Sequence, residues 1–250
     1  MTAAAPARPG AEPLRDVLGR LSSVQKGAAG APAYSRFVNR PAGRLLAALG
    51  YRAGLTPNAV TALSALCTFG GLALLVALPV SWPSGIGVAA CLAVGYALDS
   101  ADGQLARLRG GGSPAGEWLD HVVDGVKTVA LPLAVVLALY RSAAVDRGWL
   151  LVPLGFAVVA VAHLFAQLLN EQLRRHHGAR ERAAVTSERP SVLRSLLVLP
   201  TDYGLVCLVF LLLGSPVLFL TAYGVLFAAT TGYVLLACVR WFREMEQLGG

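Results

Sequence analysis

Five carboxylates fall within 26 residues, from Asp99 to Asp124, and apolar runs long enough to enter a bilayer flank them on both sides. Charge at that depth is expensive, and it persists mainly where it carries ions or does chemistry. Spacing narrows the options. Asp99 and Asp102 stand at i and i+3, one face at the end of a helix, and Asp120 and Asp124 stand at i and i+4, one face at the start of the next. A Gly-rich turn holding Arg107 and Arg109 is expected between them. Folded as helix–turn–helix, the stretch gathers four carboxylates at one end of two antiparallel helices.

Four clustered anions repel one another unless protons or cations sit among them. Hard oxygen ligands in this number suit Mg²⁺, Mn²⁺ or Ca²⁺ rather than zinc. Two divalent cations would balance four carboxylates and leave positions open for phosphate oxygens, the arrangement used for in-line displacement at phosphorus. Gly103 and Ala106 remove side chains where a ligand would approach the backbone, and Arg107 offers a planar fork to a phosphate. From spacing alone the cluster reads either as a two-metal phosphoryl-transfer site or as a proton or ion pathway built from the same carboxylates.

The rest of the chain fixes the setting. It is 56% hydrophobic and 14% charged, with a mean hydropathy of +0.61, which excludes disorder and an ordinary soluble domain. The net charge of +7 is better explained by basic residues flanking membrane spans than by nucleic-acid binding. Residues 1–32, rich in Ala, Pro and Gly, read as a disordered cytoplasmic tail with no cleaved signal peptide. Residues 33–52 alternate Phe37, Val38, Leu45, Leu46 and Leu49 with Arg36, Arg40, Arg44 and Arg52. That is the pattern of an amphipathic helix lying on an anionic membrane face, with Pro41 a candidate interruption and a solvated surface helix the alternative.

Thr56-Pro57-Asn58 supplies a cap and a first-turn proline. Six spans are then expected, at about 59–80, 86–102, 116–140, 149–170, 201–213 and 217–239, each set against the ~20 residues a crossing helix needs. Pro132 is placed as a kink in the third. The fold class is therefore an all-α integral membrane protein, with six transmembrane helices over residues 53–243, the interfacial helix before them and a short tail at 244–250. Lys and Arg concentrate before residue 53, in the 102–116 turn, between Arg174 and Arg194 and after residue 239, whereas Arg141 and Arg147 alone occupy the opposite loops. The positive-inside rule then puts both termini and the aspartates on the cytoplasmic side of the cell membrane.

Several residues outside the cluster carry two readings. Lys127 and Thr128 lie one turn beyond Asp124, where Lys127 reaches either a phosphate or one of the aspartates. His163, Gln167, Asn170 and Arg174 recur at i, i+4, i+7 and i+11 on an apolar helix, as the wall of an acceptor pocket or as interhelical hydrogen-bond partners. Arg174, Arg175, Arg180 and Arg182 bind an acidic acceptor or lipid headgroups, or simply express the cytoplasmic charge bias. Asp202 and Tyr203 sit near the cytoplasmic end of the fifth expected span. Cys67, Cys91, Cys207 and Cys238 lack ligand spacing and read as small hydrophobes.

The order Asp99-x2-Asp102-Gly103-x2-Ala106-Arg107-x8-Gly116-x3-Asp120-x3-Asp124 resembles, without departure, the signature of the CDP-alcohol phosphotransferase family. The resemblance implies a membrane enzyme of phospholipid biosynthesis that takes a CDP-linked donor, passes its substituted phosphate to an alcohol or lipid acceptor and releases CMP. It further implies that Asp99, Asp102, Asp120 and Asp124 hold two divalent cations, Mg²⁺ or Mn²⁺. Asp102, Gly103, Ala106, Arg107, Gly116 and Lys127 would face the CDP donor, and Asp124 would accept the proton of the attacking hydroxyl. A homodimer is plausible on the same ground.

The segment Ser113-Pro114-Ala115-Gly116-Glu117-Trp118-Leu119-Asp120-His121 resembles the choline/ethanolamine phosphotransferase version, in which Glu117 and His121 would assist deprotonation of diacylglycerol. The other branch of the family uses CDP-diacylglycerol with a polar alcohol. Both branches stay open on the sequence. The rival from another class is a cation- or proton-coupled transporter that uses the Asp cluster as its ion site.

Overall fold

The computed structural model describes residues 12–23, 31–142, 145–177, 192, 195 and 198–248. Among them the chain is helical, with no strand. Helix α1 is Leu14–Ser23, α2 Arg40–Arg52, α3 Pro57–Ala77, α4 Trp82–Leu108, α5 Pro114–Ser142, α6 Leu151–His176, α7 Tyr203–Val209 and α8 Pro216–Leu248.

The helix starts follow from local chemistry. Thr56 accepts the Ala59 N–H at 3.2 Å, and Pro57 occupies the first turn of α3, where no N–H is needed. Ser81 and Ser84 cap α4 reciprocally. Ser113 accepts the Gly116 N–H at 3.0 Å at the head of α5. Pro41, expected as an interruption, instead sits in the first turn of α2, directly after a π-helical turn at Ser35–Asn39. Pro132 lies inside α5, which continues past it to Ser142.

The helix α4 runs six residues further than the hydropathy suggests. Gly103, Ala106 and Arg107 therefore lie on its last turns rather than in a loop, because Gly103 continues the helix and the reversal is left to Gly110 and Gly111 (φ 96° and 128°). Those two angles belong to the left-handed region that glycine adopts without strain. A shorter connection than expected thus holds the two carboxylate-bearing helices together.

Five helical segments are long and apolar enough to cross a bilayer: Pro57–Ala77, Trp82–Leu108, Pro114–Ser142, Arg147–His176 and Pro216–Gln247. The fifth expected span appears as a shorter apolar helix, Tyr203–Leu212, in which a 3₁₀ turn at Phe210–Leu212 follows α7. Ten helical residues rise about 15 Å, half the hydrocarbon thickness, so this helix is shorter than a full crossing. Asp202 caps its start through the Gly204 N–H at 3.1 Å, and Gly214-Ser215 separates it from α8.

The main core joins α3, α4, α5, α7 with its following 3₁₀ turn, and α8 through Leu75, Leu92, Leu139, Cys207, Phe210, Phe219 and Tyr223. A second core brings Val17 and Leu21 of α1 against Ala47 and Ala48 of α2, Val60 of α3, and Ala101 and Leu105 of α4. Part of the 1–32 segment, expected to be disordered, is thus a packed helix. Leu14, Val17, Leu18 and Leu21 carry the helical i, i+3, i+4, i+7 period that its Ala/Pro/Gly content obscured. Residues 1–11 and 24–30 of that tail, Arg180, Arg182 and Arg194, and the last residues of the 244–250 tail lie outside the described residues. Phe37, Val38, Leu45 and Leu49 stay exposed, whereas Ala47, Ala48 and Leu46 pack into the second core, so the apolar residues of the 33–52 segment divide between core and surface.

Close approach of α3 to α4 depends on Gly95, where a Cβ would overlap the Thr68 hydroxyl and lie 3.2 Å from the Ser64 carbonyl oxygen. Gly95→Ala is expected to lower stability by about 1–3 kcal/mol, the usual overpacking cost, in thermal unfolding of the detergent-solubilised protein. Gly87→Ala, on the same helix with nothing within 4 Å of its Cβ position, should be neutral or stabilising.

Candidate active site

Asp99 and Asp102 project from α4, and Asp120 and Asp124 from α5. One carboxylate oxygen from each of Asp99, Asp120 and Asp124 lies within 4.8 Å of the other two. Asp102 is held slightly apart: it is buried and accepts the Thr61 hydroxyl of α3 at 2.6 Å. The donor set is entirely hard carboxylate oxygen, which fits Mg²⁺ or Mn²⁺ and gives no soft ligand for zinc.

Lys127 supplies the positive charge among these groups. Its ammonium donates to Asp99 Oδ1 at 2.6 Å, to Asp124 Oδ1 at 3.3 Å and to Ser64 Oγ at 3.1 Å. An ammonium has three donors, and all three are used. The Ser64 hydroxyl in turn donates to the Gly95 carbonyl at 2.9 Å, which ties the lysine to the α3–α4 contact. Of the two readings of Lys127, the structure displays the ion pair, with two aspartates rather than one.

A cleft of about 460 Å³ opens beside the cluster, between the head of α3, the last turns of α4 and the head of α5. Asp102, Gly103, Ala106, Arg107, Gly116 and Asp120 all line it, so six of the eight motif positions share one cleft. Asp120 belongs to both the cleft and the carboxylate cluster, and is where the two meet. Gly103 leaves open space there, its Cβ position meeting only Arg107 Nη1 at 3.5 Å. At Gly116 a Cβ would come within 3.0 Å of Asn58 Oδ1, so glycine there lets α5 approach the head of α3. The Arg107 Nε is buried without a hydrogen-bond partner among the described residues. A phosphate oxygen in the cleft would satisfy it.

Glu117 lines the cleft and His121 stands one turn further along α5, its Nε2 3.9 Å from Glu117 Oε1, beyond a hydrogen bond. Glu117 is instead gripped by Arg175 of α6 at 2.6 Å, and Arg175 also bonds Glu171 at 2.7 Å. Arg174 pairs with Glu244 of α8 at 2.6 Å. The polar stripe on α6 therefore divides. His163 and Gln167 line a second cavity, Arg174 is an interhelical tie, and Asn170 is buried. Asp202 is an anchor outside the cleft: it accepts the Ser35 N–H at 2.8 Å and the Tyr96 hydroxyl at 3.4 Å, fixing the approach to α2. The four cysteines are free thiols.

Thr61, Ser64 and Asn58 escaped the sequence reading. The signal was present in part: Thr61, Ser64 and Thr68 recur at i, i+3 and i+7 in an otherwise apolar span, and all three are buried. Lys127→Met would leave Asp99 and Asp124 facing each other without a counter-charge. Breaking such a pair costs about 3 kcal/mol, the low end of the buried-pair range because both carboxylates keep some exposure. Thermal unfolding in chelator should show that loss, and added Mn²⁺ should restore part of it.

The sequence model of the CDP-alcohol phosphatidyltransferase family matches residues 54–239. Among solved structures, the chain is similar to the phosphatidylinositol phosphate synthase of Mycobacterium tuberculosis, crystallised with manganese and citrate. The two share 24% identity at a TM-score of 0.44, over 83% of this chain and 88% of that one. No curated protein sequence matches significantly. The family match spans α3 to α8 and contains every motif position, and the chain belongs to the CDP-alcohol phosphatidyltransferase family, multi-pass membrane enzymes that carry out alcohol phosphotransfer in phospholipid synthesis.

Proposed function

We propose that the chain transfers a substituted phosphate from a CDP-linked donor to an alcohol acceptor and releases CMP at the cytoplasmic face of the cell membrane. The observation that carries this reading is the cleft itself, which collects six motif residues and joins the carboxylate cluster at Asp120. Two divalent cations, Mg²⁺ or Mn²⁺, would be held by Asp99, Asp102, Asp120 and Asp124. When bound they would neutralise the donor pyrophosphate and polarise its phosphoryl oxygens.

The chain's own residues then divide the work. Arg107 forks to a donor phosphate through donors that include its unpartnered Nε. Gly103, Ala106 and Gly116 keep the backbone open to the nucleotide. The acceptor oxygen forms a bond to the β-phosphorus while the bond from that phosphorus to the CMP oxygen breaks. The hydroxyl proton passes to Asp124, with His121 the competing base; Lys127 keeps Asp99 and Asp124 in position. Glu117, bonded to Arg175, acts at the cleft mouth rather than by orienting His121.

Six crossings fit the charge distribution better than five. An odd number would separate the two basic termini across the membrane, against the positive-inside rule. The fifth expected span, about 201–213, would supply the extra crossing, starting at Asp202 beside the interfacial segment. The transporter reading loses its support, because such ion sites are built on broken helices at mid-membrane. Here α4 and α5 are continuous through the carboxylates.

The test is CMP release by the purified protein with Mg²⁺ or Mn²⁺. One substrate pool is CDP-diacylglycerol with polar alcohols; the other is CDP-choline, CDP-ethanolamine and related donors with diacylglycerol. Release from one pool, reduced at least about a hundredfold by Asp120→Asn, is expected, the scale of losing a main charge-stabilising group. Release that Asp120→Asn leaves intact would contradict the site.

A further inference from the structure

The second cavity, about 320 Å³, lies among α5, α6, α7 and α8. Lys127 is part of its wall, and the Lys127 ammonium bonds Asp99 and Asp124, so the cavity begins one side chain away from the carboxylate cluster. Its lining is largely apolar, with Leu131, Phe156, Leu164 and Val206 among the wall residues. Into this surround the chain places polar groups that no described residue pairs. Tyr223 is fully buried, at 0% exposure, and its hydroxyl has no hydrogen-bond partner among the described residues; the same holds for the Tyr203 hydroxyl and for His163 Nε2. All three residues line the cavity. The His163 ring is fixed against Trp241 and Tyr233, with centroids 6.0 Å away in each case, so it cannot readily swing toward another partner.

Buried hydroxyls are paired in folded proteins, and an unpaired set around one cavity marks a place where something else supplies the acceptors. The ligand's chemistry follows from the wall. Lys127, the cavity's cation, has already given its three donors to Asp99, Asp124 and Ser64. Among the described residues, no free positive charge is left there for a phosphate. Neutral oxygens carried on a hydrocarbon body fit both the unpaired donors and the apolar walls. We infer that this cavity holds the uncharged acylglycerol portion of the lipid substrate, its hydroxyl or ester oxygens accepting from Tyr223, Tyr203 and His163. The inference rests on the phosphotransfer reading above. Two sources offer that portion: diacylglycerol as acceptor, or the lipid half of CDP-diacylglycerol as donor.

Three variants of the full chain separate the outcomes. Tyr223→Phe deletes an unpaired hydroxyl and should leave the lipid-free protein as stable as wild type or more so, because nothing in the fold depends on that group. Ala160→Phe adds bulk inside the cavity, whereas Val158→Phe, at a position 71% exposed on α6, adds it on the outer surface. Thermal unfolding with added diacylglycerol or CDP-diacylglycerol and KM for each substrate are read in parallel.

Tyr223→Phe and Ala160→Phe should each raise KM for one lipid about tenfold and abolish the stabilisation that lipid gives. KM for the water-soluble substrate should stay within twofold, and Val158→Phe should behave as wild type. An effect on diacylglycerol assigns the acceptor; an effect on CDP-diacylglycerol assigns the donor. The inference is overturned if neither lipid stabilises the wild type, if both cavity variants respond to lipid as wild type does, or if Val158→Phe matches Ala160→Phe. Should no substrate pair release CMP, the phosphotransfer reading fails by itself, and the lipid-dependent unfolding still decides the cavity.

Discussion

The contact on which the structure turns is the Lys127 ammonium set between Asp99 and Asp124. Two apolar helices can bring their carboxylates to one end only if the accumulated negative charge is answered, and within the folded chain that cation answers part of it. The same lysine reaches Ser64, and Ser64 reaches the backbone at Gly95, where α3 and α4 pack closely. Charge compensation and helix packing are thus one connected arrangement. A fault at either end would move the aspartates.

Around that centre the chain separates two environments. On the side of the helix heads lies a cleft with the charged side chains of Arg107, Asp102 and Asp120 in its wall. Among α5, α6, α7 and α8 lies a second cavity walled by Tyr203 and Tyr223, whose hydroxyls have no partner among the described residues. An enzyme that joins a charged nucleotide-linked group to a lipid must hold reactants of opposite solubility next to the same reacting atoms. Two spaces that meet near the carboxylates, one with Arg107 in its wall and one without an arginine among its described wall residues, fit that requirement. The ion pairs of Arg174 with Glu244 and Arg175 with Glu117 tie α6 to α8 and to α5, and so hold the walls of both spaces in register.

The eight motif positions were legible in the sequence because fixed gaps on two helices carry their own geometry. Their gathering into one cleft and one cluster needs no long-range information beyond a single turn. Other features required tertiary contacts. Thr61 and Ser64 become site residues only because α3 crosses α4, and a Thr or Ser in a span is otherwise unremarkable. Glu117 and His121, at the ideal i, i+4 spacing for a pair, are parted because Arg175, 58 positions away, bonds Glu117 at 2.6 Å. The reach of α4 past Gly103 is not legible because glycine reads as a turn residue, whereas the left-handed angles fall at Gly110 and Gly111. The helix Leu14–Ser23 was overlooked for a compositional reason: its apolar period is short and lies between Ala/Pro/Gly-rich stretches.

The central claim is that the aspartates form a divalent-cation centre facing the cleft. Counting Mn²⁺ bound per chain, by electron paramagnetic resonance titration of the purified protein, tests it without any assumption about substrate. The account predicts two ions per wild-type chain and a loss of binding in Asp99→Asn and Asp120→Asn, with both variants remaining folded. Equal Mn²⁺ binding in wild type and both variants, or no binding by the folded wild type, would contradict it.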